Sequence, residues 1–103
     1  MKTKQRHAPK DRKALLLRAG LIAARRVSYA EVTRKQVAEL AEVAPPLVTH
    51  YFGDLETLRR EIMAEAIREG DEKIVAQGLA RGDKQARKAP AALKAKAAKA
   101  LAK

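Results

Sequence analysis

The chain has 103 residues, 47% of them hydrophobic and 3% aromatic, which allows one small domain with an aliphatic core and excludes a second core. It has no cysteine and only two histidines, His7 and His50, which excludes a disulfide scaffold, a thiol nucleophile and a cysteine-based zinc site; no metal or other cofactor is expected. The net charge is +11, with +5 in residues 1–13, −1 in residues 14–83 and +7 in residues 84–103, so basic ends flank a near-neutral body and a polyanion is the natural partner.

Residues 1–10, MKTKQRHAPK, show no apolar periodicity and are expected to form a disordered basic arm. Asp11 can cap a helix running to about Arg26, with Leu17, Leu21 and Ala24 on one face and Leu16, Ala19 and Ala23 beside them. Residues 27–32 read as a connection. Thr33 then suits an N-cap, because Gln36 three residues on can reach back to the Thr33 amide and complete a capping box. The helix that follows, to about Ala41, turns Val37, Leu40 and Ala41 inward.

Pro45 has no amide to donate and fits the first turn of a short helix through about Tyr51, with Val48 and Phe52 facing the core. Gly53 ends that helix, and Asp54 caps a longer one to about Glu69, carrying Leu55, Leu58, Ile62 and Ala66 at helical spacing. Gly70 and Asp71 mark a break. Ile74, Val75 and Leu79 predict one more short helical segment before Arg81 and Gly82. Residues 83–103 reduce to lysine and alanine and are expected to be a disordered tail that orders only against a polyanion. The domain proper is thus 11–82. No apolar run approaches the roughly 20 residues needed to span a bilayer, and no apolar stretch follows the basic start. The expectation is a cytoplasmic chain with no membrane partner.

The informative stretch is Thr33 to Phe52, TRKQVAELAEVAPPLVTHYF. Two short helices joined by a three-residue turn make a helix-turn-helix, whose second helix is narrow enough to enter the major groove of DNA. The N-terminus of the first helix can rest on a phosphate, with Thr33, Arg34 and Lys35 as the clamp. No glycine-rich phosphate loop and no Ser-His-Asp set is present, so an enzyme is not expected.

Residues from about Lys13 to Glu69 resemble the DNA-binding domain of the tetracycline-repressor (TetR) family of bacterial regulators. The likeness lies in Tyr29, Thr33, the Val37-Ala38 pair, Val43, and the block Leu47-Val48-Thr49-His50-Tyr51-Phe52 followed by Leu58. It implies an all-α fold, a small homeodomain-like helical bundle with a helix-turn-helix and a long fourth helix, to which the spacing of Ile74, Val75 and Leu79 adds a short C-terminal helical segment. It also implies that Thr33 contacts phosphate, that Pro45, Pro46 and Leu47 face the groove, and that Thr49, His50 and Tyr51 contact bases or the far backbone. The family's turn glycine is Glu42 here, and its phosphate-binding lysine after the recognition helix is Leu55.

Only 34 residues follow Glu69, too few for the family's usual ligand domain, so no small-molecule inducer is expected. The reading is a small bacterial, phage or plasmid repressor that binds double-stranded DNA at a palindromic operator as a homodimer, in the bacterial nucleoid or a host cytoplasm. Ile67, Ile74, Val75 and Leu79 are the expected pairing surface. The alternatives are a host-protein-binding module on the same helical scaffold and a non-specific nucleoid-type DNA binder.

Overall fold

The computed structural model describes residues 9–101, and the fold is all-α. Helix α1 (Pro9–Val27) leads through a 3-10 turn (Tyr29–Glu31) into α2 (Arg34–Ala41), α3 (Pro45–Phe52) and α4 (Leu55–Glu69). Three further helices follow among the described residues: α5 (Glu72–Arg81), the single turn α6 (Lys84–Arg87) and α7 (Ala91–Leu101).

The expected apolar stripes become the core. Leu16, Leu17, Ala19, Leu21, Ala23 and Ala24 of α1 are buried against Leu58, Ile62, Met63 and Ala66 of α4 and Val37 and Ala38 of α2. Helices α1 and α4 cross closely at Gly20, where an added Cβ would lie 2.8 Å from the Ile62 side chain. Only glycine admits that approach without displacing Ile62. Helix α3 closes the other side through Val48 and Phe52.

Polar contacts tie the C-terminal helices to the first half of the chain. Asp71 caps α5 by accepting the Ile74 amide at 3.1 Å, and its buried carboxylate also accepts Arg25 Nε of α1 at 2.9 Å. Gln77 of α5 bridges the end of α1: its Oε1 accepts the Tyr29 amide at 2.8 Å and its Nε2 donates to the Ala24 carbonyl at 2.9 Å. The Tyr29 hydroxyl donates to Asp83 at 2.7 Å, while the other Asp83 oxygen caps α6 through the amides of Gln85 and Ala86. Burial, reinforced by the hydrogen bond to Asp83, pushes the Tyr29 phenol up to about 12.

Tyr29→Phe is expected to cost about 1–2 kcal/mol near neutral pH, since it strips Asp83 of a charge-assisted donor. The unfolded tyrosine ionises near pH 10 while the folded one keeps its proton, so this contribution fades as pH rises from 10 towards 12. Parallel denaturant titrations of the two proteins should therefore show their stabilities converging across that window. A constant gap would contradict the assignment.

Three expectations are corrected. Helix α1 already includes Pro9 and Lys10 where the described residues start, so Asp11 lies inside the helix instead of capping it. The rest of the expected 1–10 arm lies outside the described residues. The expected pairing surface is largely used up: Ile74 and Val75 are fully buried, and Ile67 and Leu79 pack against the same core. The third correction concerns the C-terminal part. Residues 84–101 are not a disordered tail but α6 and α7, folded back so that α7 lies along α5. Small side chains make this possible, because Ala86, Ala89 and Ala97 are buried where larger residues would hold the helices apart. Gly78 serves the same approach, with an added Cβ only 2.7 Å from that of Ala86.

Candidate nucleic-acid interface

The local sequence accounts for each end of α2 and α3. Thr33 forms the capping box: its Oγ1 accepts the Gln36 amide at 3.1 Å, and Gln36 Oε1 accepts the Thr33 amide at 2.9 Å. A box of this kind occupies the cap and third-residue donors and leaves the amides of Arg34 and Lys35 as the unpaired pair at the positive end of α2. Glu42 ends α2 in the left-handed region, φ 61°, ψ 46°, a conformation that glycine adopts more readily. The chain then extends through Ala44, and Pro45 and Pro46 open α3 where a missing amide costs nothing. Gly53, at φ 74°, closes it.

This arrangement decides which side chains of α3 point outward. Val48 and Phe52 lie about 40° apart around the helix and are both buried, so the opposite side falls at Pro46 and His50. Thr49 flanks that face on one edge, and Leu47 and Tyr51 on the other. Pro45, Pro46, Thr49 and His50 are exposed, and Leu47 and Tyr51 are half-buried. Tyr51 meets the His50 ring edge-on, with centroids 5.0 Å apart. At the start of α2, Thr33 and Lys35 are exposed and Arg34 is half-buried. All nine sequence-derived site residues therefore keep solvent-accessible surface, on two helices that pack against each other.

Two supporting residues had no signature in the sequence. Arg59 of α4 donates its Nε to the Val32 carbonyl at 3.0 Å and so fixes the residue before Thr33. Lys13 of α1 holds its ammonium 5.6 Å from the centre of the Phe52 ring and 3.6 Å from Glu61, pinning the end of α3 to α1 and α4. An arginine or lysine at such spacings is ordinarily a solvated residue, so only the tertiary arrangement reveals these contacts.

The local charge is mixed. No acidic residue lies on α3 itself, whereas Glu39 and Glu42 are exposed on α2 and its cap. Asp54 caps α4 by accepting the Thr57 amide at 2.8 Å; the Thr57 side chain, with that amide, holds its carboxyl below the usual range. The series Glu61, Glu65 and Glu69 does not face the α3 surface as free charge: it pairs with Lys13, Arg68 and Arg18 respectively. Compared with protein-family models, curated proteins and solved structures, the chain finds no match.

Proposed function

We propose that the chain is a small TetR-like transcriptional regulator, a repressor, that reads double-stranded DNA by laying α3 in the major groove. The observation that carries this reading is the outward face of α3. Its two buried anchors present Pro46 and His50 to solvent on a helix without a carboxylate, beside the positive end of α2. In this arrangement Thr33, Arg34 and Lys35 hold a phosphate. Pro45, Pro46 and Leu47 supply shape and thymine-methyl contacts, and Thr49, His50 and Tyr51 reach base edges or the far strand. Two copies on half-sites one helical turn apart would supply the specificity that one short helix lacks.

The experiment compares wild type with Thr49→Ala and His50→Ala on a DNA duplex selected by the wild-type protein. Each substitution is expected to weaken binding by roughly 5- to 100-fold, the equivalent of about 1–3 kcal/mol for a lost base contact. Both positions are exposed, so melting temperatures should stay nearly unchanged. Unaltered affinity in both variants would contradict the reading.

A further inference from the structure

The described ion pairs all lie between Lys13 and Asp71, where five acidic residues each hold a nearby lysine or arginine. Beyond Asp71 the balance changes. Lys84, Arg87 and Lys88 on α6 and its cap, and Lys96 and Lys99 on α7, are all exposed, and none joins a described ion pair. Exposed Lys73 and Arg81 of α5 line a groove with Ser28 and the last turn of α7, extending the same basic surface.

Residues 72–101 contain just two carboxylates to oppose this charge. Asp83 is half-buried and committed to the Tyr29 hydroxyl and two amides of α6. Glu72 is exposed and shares a groove with Lys96 and Lys99, without approaching either as an ion pair among the described residues.

We propose that α6 and α7, with the adjoining face of α5, form a second binding surface for the phosphate backbone of duplex DNA, blind to sequence and distinct from α3. The charges sit on an ordered scaffold. Ala97 is buried against the core, Leu93 packs beside it, and the Lys94 ammonium donates to the Arg87 carbonyl at 2.8 Å, tying α7 to α6. Lysines fixed three residues apart on one helix repel each other, a cost that an anionic partner relieves. The exposed positions of α7 other than Lys96 and Lys99, namely Ala91, Ala92, Ala95, Ala98, Ala100 and Leu101, have no side-chain donor or acceptor to combine with the lysines in reading a base edge, which leaves phosphates as the main partner. Helix α7 packs on α5, whereas α3 packs on α2 and α4, so the two surfaces belong to different parts of the fold.

The test is the variant Lys84→Gln, Arg87→Gln, Lys96→Gln, Lys99→Gln, measured on a random-sequence DNA duplex across about 50–200 mM salt. Its affinity at low salt is expected to fall about 10- to 100-fold, and the slope of log affinity against log salt to flatten by about 2–4, since each phosphate contact contributes nearly one counterion. A companion carrying Lys84→Arg, Lys96→Arg and Lys99→Arg keeps charge and should keep affinity, which separates lost phosphate contacts from lost folding. The loss should be equal on selected and random duplexes, whereas failure of the α3 reading would show only as loss of the difference between them. An unchanged salt slope, a loss confined to the selected duplex, or lost binding to phosphatidylserine vesicles with duplex binding intact would overturn the proposal.

Discussion

Ile74→Ala is expected to lower the stability of the folded chain by about 3–4 kcal/mol, one of the larger costs a single truncation can carry. The side chain is fully buried, in the first turn of α5, in the same core as Ile62, Met63 and Ala66. Removing three carbons there loses the transfer free energy and leaves a cavity that helices held by Asp71, Gln77 and Asp83 cannot readily close. In a domain this size the melting temperature should drop by roughly 12 °C or more. The loss should be the same at low and high protein concentration, because the structure puts Ile74 inside one chain. A loss that shrinks as the protein is concentrated would instead place α5 at a seam between copies.

Pro46→Glu is expected to act on binding alone. Position 46 is the second residue of α3, exposed and on the side opposite the buried Val48 and Phe52. A glutamate there gains an amide that a first turn does not need to pair, and its charge is favoured by the positive end of the helix dipole. Thermal stability should be unchanged or slightly higher. Under the proposed function the same carboxylate would face phosphates and base acceptors in the groove, and affinity for a selected duplex should fall by about 100-fold or more. Stability retained with binding intact would remove α3 from the interface. Unfolding would instead show that Pro46 is needed for the fold, against its exposure.

Much of the helical framework was legible because local chemistry and periodicity agreed. Thr33 with Gln36, Gly53 followed by Asp54, and Gly70 followed by Asp71 each mark a boundary by a mechanism the backbone must satisfy, and the helices end where these residues stand. The face of α3 could be read from Val48 and Phe52 alone. The C-terminal part left no such sign, for a definite reason. A lysine-alanine segment has no broad apolar stripe, so periodicity gives no sign of a packed helix; the packing depends on single alanines, above all Ala97 and Ala86, whose small size matters only against a specific neighbour. The bonds of Tyr29 to Gln77 and Asp83 span about fifty residues and leave no local trace. Ile74 and Val75 give a short apolar stripe that fits a pairing surface as well as a core, and only the tertiary arrangement shows that they are buried within one chain.

The proposal that the outward face of α3 recognises particular DNA sequences can be tested by repeated selection of bound duplexes from a random pool. The wild-type protein should enrich one short motif, repeated as a palindrome, and Pro46→Glu should abolish the enrichment. A bound pool that stays random through every round, or a motif that Pro46→Glu recovers equally well, would contradict it.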